Sequence, residues 1–385
     1  MTQADIDPLI GFTPRLRKSP FFAATRRYGC KAYTVYNHMC MPLSYEDPVA
    51  EFWRLVNDVT LWDVACERQV EITGPDAARF VQHLTPRNLS NCVVGQGKYV
   101  LITAEDGGIN NDPVLLRLGE NHFWLSLADS DVLLWARGVA VNAGMNVTII
   151  EPDVSPIQVQ GPKSVQVMQA LFGDWLLDLP YFRFRETDLD GIPVVVSRTG
   201  WSSERGYEIF LRDGGYGDDL WEAVMEAGKP YNIAPIAPSQ IRRVEGGMMS
   251  YGTDMTRDEN PYELGFDRLV DLKQEAQFIG KAALKRIKVE GVKRRFVGME
   301  IHGDPLAASN EHYWPVSREG RRVGKVTSCV YSPRLQRNIG MALVAVEHAE
   351  LGAELTVGTP SSEAEATVAP IPFVDPNKEI PRGQA

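Results

Sequence analysis

The densest chemistry in the sequence lies in twelve consecutive residues, Arg198 to Ile209. A large aromatic, Trp201, and two carboxylates, Glu204 and Glu208, sit on a run of small residues that leads into an alternating strand. Glycines at Gly200 and Gly206 would let the backbone approach a flat heterocycle closely, and a carboxylate on the strand can accept from ring N–H donors. Upstream, Gly107-Gly108-Ile109-Asn110-Asn111-Asp112-Pro113 places an acid at the lip of a second hairpin-like turn. In this order the two segments suit a pterin-like ring better than a phosphate.

These segments must be held by a mixture of strands and helices. Val70 to Pro75 is an alternating strand ending in Gly-Pro, followed by an amphipathic stretch to Leu84; Ile157 to Pro162, followed by a stretch to Leu171, repeats the arrangement. Each is expected to be strand, turn and helix with proline at the first helical position, which suggests two related α+β subdomains. Helices are expected from Asp47 to Val59, Asp129 to Ala143, Gly217 to Ala227 and Ser239 to Met249. Lys285 to Arg295 reads as a basic linker. After it, Phe296–Ile301, Arg322–Thr327, Asn338–Val346 and Glu354–Val357 alternate as in a small antiparallel barrel or sandwich. The first twenty or so residues, interrupted by Pro8, Pro14 and Pro20, read as a loose arm, and Asp375 to Ala385 as a frayed tail. Without regular βαβ alternation the fold class is α+β. The expected division is a binding region of two subdomains over 1–285 and a β-barrel domain over 286–385.

With 385 residues the chain is too long for one core. A net charge of −10 disfavours nucleic acid and anionic membranes as partners. No apolar run approaches the ~20 residues that span a bilayer. The acidic N-terminus lacks the features of a secretory signal, and the five scattered cysteines read as reduced thiols. Together these predict a cytoplasmic protein. The six histidines never fall at metal-ligand spacing, so no metal is expected. Dinucleotide, P-loop and nucleophile-elbow motifs are absent. That pattern fits catalysis by positioning two bound reactants.

Phe21 to Ala24, Leu61-Trp62-Asp63-Val64, Gly97-Lys98-Tyr99, Gly107 to Asp112 and Thr199 to Glu208 follow the order seen in the glycine-cleavage T-protein (aminomethyltransferase) superfamily. Arg243 to Gly247, Ser250-Tyr251-Gly252, Phe278 to Lys281 and Val326 to Pro333 continue the match, so the resemblance spans nearly the whole chain. It implies a tetrahydrofolate-binding ring of three subdomains whose last is a jelly-roll-like β-barrel. Tyr33 to Met39, Trp62 to Glu71, Thr85 to Ser90, Ala128 to Val132 and Asp258 to Pro261 resemble more narrowly the dimethylsulfoniopropionate demethylases. Those enzymes pass a sulfonium methyl to tetrahydrofolate, giving methylmercaptopropionate and 5-methyltetrahydrofolate. Demethylases of betaines or methyl ethers, and aminomethyl transfer in glycine cleavage, share the scaffold. So does a non-catalytic folate-binding factor of iron–sulfur assembly, but its Lys-Gly-Cys-x-x-Gly-Gln segment is missing here.

The resemblance implies roles for individual residues. Glu208 would accept from the pterin, and Asp112 would be the catalytic acid beside the reacting folate nitrogen. Tyr99 and Trp201 would line the folate channel. Tyr36, Ser126 and Trp201 would face the substrate, a small sulfonium zwitterion. Phe210 departs from the demethylase pattern, which has a tyrosine there, and leaves recognition of the substrate carboxylate open. Arg243 is expected to brace helices and Lys281 to sit at a helix start. A homodimer is the one protein partner kept open.

Overall fold

The computed structural model describes residues 11–360 and 362–384. Two larger sheets and a closed barrel form the frame of the described residues. The first sheet runs Thr148–Ile150, Gln69–Thr73, His122–Ser126, Val114–Gly119, Gln96–Tyr99 in spatial order. The second runs Phe184–Leu189, Ile192–Ser197, Gly206–Leu211, Ser155–Gln160, Thr60–Asp63, Ala234–Pro235. All neighbours are antiparallel except the last pair.

Alternation along each strand divides the side chains between two faces. In the first sheet Val70, Ile72, Leu115, Phe123 and Leu125 face Phe80, Val81, Leu84 and Ala136 of the helices Ala77–Leu84 and Val132–Ala143. In the second, Ile157, Val159, Tyr207, Ile209 and Leu211 face Val167, Met168, Leu220, Trp221 and Val224 of Ser164–Phe172 and Gly217–Gly228. The opposite faces meet each other through Leu116, Leu118, Trp124, Phe184, Val195 and Phe210. Two sheets thus lie face to face with helices outside, and polar residues on the inner faces are trapped between them. Phe210 is wholly buried in this layer, 6.2 Å from Trp124 between ring centroids, as a packing residue.

The two strand–Gly-Pro–helix units occupy corresponding places, one per sheet. Their glycines share a left-handed backbone, φ 117° at Gly74 and 122° at Gly161. In each, an added Cβ would press on a backbone carbonyl, Asn146 O at 2.7 Å or Asp58 O at 2.5 Å. The prolines, however, lie outside the helices: Asp76 and Lys163 stand between Pro75 or Pro162 and the first helical residue.

The barrel closes in the order Arg294–Ile301, Arg337–Ala345, Arg321–Ser332, Trp314–Arg318, Glu354–Gly358, Glu363–Ala369. Its flank packs Phe296, Val330, Ile339, Met341 and Leu343 onto Phe52, Leu101, Ile109, Ile241 and Val244. Arg243 braces this joint: Nη1 donates to Asp254 Oδ2 at 2.7 Å and Nη2 to Ser328 Oγ at 2.7 Å. Its helix is Gln240–Glu245, shorter than expected, with Ser239 as N-cap.

Two further sequence expectations are corrected. The basic segment is the helix Lys281–Glu290, and the first barrel strand begins at Arg294. Lys285, Arg286 and Lys288 line an exposed helix face over buried Lys281, Ala283 and Leu284, which an average of charge cannot distinguish from a linker. The C-terminal segment is docked rather than frayed. Phe373 N and Val374 N donate to Glu245 O, Lys378 Nζ to Gly246 O, and Arg198 Nη2 to Arg382 O at 2.6 Å. The N-terminal arm lies outside the described residues as far as residue 10. Beyond it Arg17 bridges to Met39, and Ser19 Oγ donates to Asp63 Oδ2 at 2.5 Å. Among the described residues no helix is long and apolar enough to cross a membrane.

Candidate active site

The strand Gly206–Leu211 sends Glu208 to the inner face of its sheet, level with Gln158 and Ser197 on the neighbouring strands. Trp62 pairs with Gln158 from the other side. One cross-sheet row therefore reads Trp62, Gln158, Glu208, Ser197. Gln158 Nε2 donates to Glu208 Oε1 at 2.8 Å, and the Thr199 hydroxyl donates to Oε2. Each carboxylate oxygen keeps a lone pair for a further donor.

Gln158 also links this acid to another. Its Nε2 lies 3.4 Å from Glu67 Oε1, and its Oε1 accepts from Trp201 N at 3.3 Å. Glu67 Oε2 in turn is 3.5 Å from Ser126 Oγ, which accepts from Gln69 Nε2 at 2.9 Å. Burial first, and the Glu208 charge second, push the Glu67 carboxyl well above the usual carboxylate range. Burial also raises Glu208, opposed by the bonds from Thr199 and Gln158. Two buried acids joined through one amide resist a double negative charge, so a proton on the pair is favoured.

Asp112 follows the short strand Ile109–Asn111. Asn111, wholly buried, fixes that strand by donating to Ala128 O at 2.9 Å and Ser130 Oγ at 2.8 Å. Asp112 Oδ2 accepts from the Tyr99 hydroxyl at 2.8 Å, while Oδ1 is buried with no protein partner. The side chain keeps some solvent contact, but protein surrounds the carboxyl deeply enough that burial pushes its pKa up to about 7, with the Tyr99 bond opposing. Tyr99 is held edge-on to Phe266 at 5.9 Å.

Tyr36 arrives on a hairpin, Ala32–Tyr36 against Met39–Ser44. Asn37 and His38 turn it with positive φ, 49° and 62°. Asn37 Nδ2 donates to Cys66 O at 3.0 Å and Ala128 O at 2.9 Å, which latches the hairpin tip beside Glu67. Burial raises the Tyr36 hydroxyl strongly, and the charges of Asp112 and Glu67 add to the effect.

The turn before Glu208 has a different logic from the one expected. Gly200 and Gly206 both lie on the buried amide of Gln160, where an added Cβ would sit 2.3 and 2.1 Å from it. Ser202 Oγ donates to that amide at 2.6 Å, and the amide donates to Tyr207 O at 3.2 Å. These glycines admit Gln160 rather than a ligand. Glu204, the other carboxylate of the turn, accepts from Arg242 Nε at 2.6 Å and serves the frame. The Trp201 ring packs on Leu55, Trp62, Val64 and Ile236, with the Arg243 guanidinium 5.7 Å from its centroid.

The GCVT N-terminal domain model matches residues 21–274, and the glycine cleavage T-protein C-terminal barrel domain model matches 294–375. The chain belongs to the glycine cleavage T-protein family. Among relatives of this T-protein-family chain, "Dimethylsulfoniopropionate demethylase DmdA" of Ruegeria pomeroyi is 39% identical over 92% of this chain and 96% of its own length. An aminomethyltransferase of Alkaliphilus metalliredigens is 31% identical over 89% and 93%. The crystal structure of the aminomethyltransferase T from Bartonella henselae superimposes with a TM-score of 0.84 over 94% of this chain and 98% of its own; at 22% identity it shares the fold.

Of the residues singled out from the T-protein pattern, Glu208 and Ser126 join one hydrogen-bonded chain through Gln158 and Glu67. Trp201 joins it by its backbone only. Asp112 and Tyr99 form a second pair, and Tyr36 stands within electrostatic reach of both. Sequence reasoning missed Glu67, Gln158 and Thr199. A signal did exist for Gln158: it is a polar residue between apolar neighbours on a strand buried on both faces.

Proposed function

We propose that this protein transfers a methyl group from dimethylsulfoniopropionate to tetrahydrofolate, giving methylmercaptopropionate and 5-methyltetrahydrofolate. The observation that carries the reading is the state of Asp112, a buried carboxyl with one oxygen held by Tyr99 and the other unpartnered. The residues fit a reduced pterin, whose N–H groups need acceptors, because Asp112 Oδ1 and the lone pairs left on Glu208 provide them. The similarity to the DmdA relative supports the choice of donor.

Tetrahydrofolate, when bound, supplies a ring nitrogen whose lone pair forms the N–C bond as the C–S bond breaks, the electron pair staying on sulfur and the N–H proton departing. In this reading Glu208 orients the pterin and Asp112 is the catalytic residue. Positive charge leaves sulfur and arrives at nitrogen, so an ionised Asp112 beside the nitrogen favours the transition state over the ground state. It also stands as acceptor for the departing proton. Tyr99 and Trp201 wall the folate, and Tyr36, Ser126 and Trp201 the donor. The folate-binding region takes in 1–285 and the barrel domain 286–385, with the helix Lys281–Glu290 spanning the join. The setting is cytoplasmic, with neither nucleic acid nor membrane as partner and a homodimer as the assembly to test.

Purified protein incubated with tetrahydrofolate and a panel of methyl donors, with mass spectrometry of the folate, tests the reading. 5-Methyltetrahydrofolate should accumulate with dimethylsulfoniopropionate. Methylene-tetrahydrofolate from an aminomethyl donor, or product only with a betaine or an aryl methyl ether, would replace this reading with another.

A further inference from the structure

The site is rich in acids and poor in cations. Glu67, Glu208 and Asp112 converge on it, and among the described residues none of them makes a salt bridge. Elsewhere in the same chain buried acids do find partners: Glu204 and Asp254 meet Arg242 and Arg243, at 2.6 and 2.7 Å. Buried carboxyls without counter-charges must hold protons or await a cation.

The three acids are not equivalent. Glu208 has two short protein bonds and Asp112 has the Tyr99 hydroxyl, whereas the Glu67 carboxyl has only contacts of 3.4 and 3.5 Å. Its surroundings offer acceptors and a π face. Gln69, 1% exposed, donates its Nε2 to Ser126 Oγ and to Glu67 O, while its Oε1 is buried without a partner. The Asn37 latch sets Tyr36 beside Cys66 and Glu67. A carboxyl without a counter-charge beside an unpartnered amide oxygen suits a cation, and the aromatic ring suits one with an alkylated surface, which describes an onium centre.

We propose that Glu67 is the specificity-determining residue for the methyl donor: its carboxylate is the counter-charge that selects a sulfonium or quaternary ammonium centre over a neutral methyl carrier. This deepens the function proposed above and rests on it for the placing of the donor. Because the cationic charge shifts only from sulfur to the nearby nitrogen during transfer, Glu67 acts mainly on donor binding.

The test compares dimethylsulfoniopropionate with 4-methylpentanoate, its isostere with carbon in place of sulfur, by calorimetric titration of the full chain. Tetramethylammonium chloride serves as a cation without a carboxylate. Wild type should prefer the sulfonium at least tenfold. Glu67→Gln should erase that preference and weaken tetramethylammonium, raise KM for the donor tenfold or more, and leave kcat within about threefold and tetrahydrofolate affinity within about twofold. A wild-type protein indifferent to charge, or a variant that loses folate as strongly as donor, would overturn the assignment. If dimethylsulfoniopropionate is no substrate but tetramethylammonium binding still depends on Glu67, the counter-charge stands and the donor named above falls. Should Glu67→Gln not fold, Tyr36→Leu decides: it should weaken the sulfonium several-fold and spare 4-methylpentanoate, and equal losses would overturn the idea.

Discussion

At Asp112, burial and catalysis pull one carboxyl in opposite directions. Burial pushes its pKa up to about 7, so the protonated form competes at neutral pH, while the proposed chemistry requires the ionised form. Turnover should therefore rise as pH passes through about 7 and level off above it. Asp112→Asn should abolish that rise and lower kcat by roughly 10²–10⁴-fold, leaving folate affinity within a few-fold. A stability consequence follows with a fixed sign. An acid whose folded pKa is raised favours folding fully below its unfolded pKa, near 3.8, and loses that contribution as pH climbs through about 7. Asp112→Asn, which cannot ionise, should melt higher than wild type at pH 8 and nearly level with it at pH 4; a lower melting temperature at pH 8 would contradict the burial argument. Asp112 and Glu208 could be picked out because each follows a turn with a distinctive local sequence. Glu67 could not. Its neighbours Gln158 and Ser126 lie 91 and 59 residues away, and nothing local marks its carboxyl as unpaired.

Among the elements, the turn before Glu208 and the Tyr36 hairpin do most to fix the site. The turn is moulded on the Gln160 amide, which is held from several sides and cannot swing away. Gly206→Ala should therefore cost several kcal/mol, at the upper end of the usual range for point changes, and should weaken folate binding with it. Thermal melts and fluorescence titration of folate would check both. Asn37→Ala removes one buried and one part-buried hydrogen bond and an αL-tolerant residue together, so a loss of about 2–4 kcal/mol is expected. Donor KM should rise while folate affinity holds. Elements with strong periodicity, such as the helix at 48–57 behind its Asp47 cap, were legible in the sequence. The barrel strands Trp314–Arg318 and Glu363–Ala369 were not: one is five residues long with a proline at its second position, the other fills its inward positions mainly with alanine, and only pairing within the closed barrel defines them. The small-residue turn was recognised, but its cause was misjudged: the side chain it accommodates is Gln160, 40 residues before Gly200 in the chain.

For the whole molecule, two sheets bury a polar row between them, and the barrel and C-terminal segment hold that arrangement closed. Removing residues 375–384 would strip Gly246 O of the Lys378 ammonium and Arg198 of the Arg382 carbonyl. The truncated chain should melt several degrees lower and be cut faster by protease near Arg198, with the barrel intact; unchanged melting would mean the docked segment adds nothing to the closure. The Lys378 amine, pushed down to about 8 by burial, should release part of this clasp as pH rises past that value. Arg198 stands 184 positions ahead of the carbonyl that caps it. During synthesis, then, both sheets leave the ribosome long before this clasp is made, and the guanidinium must wait with Leu179 O as its partner until the barrel and the segment behind it have emerged.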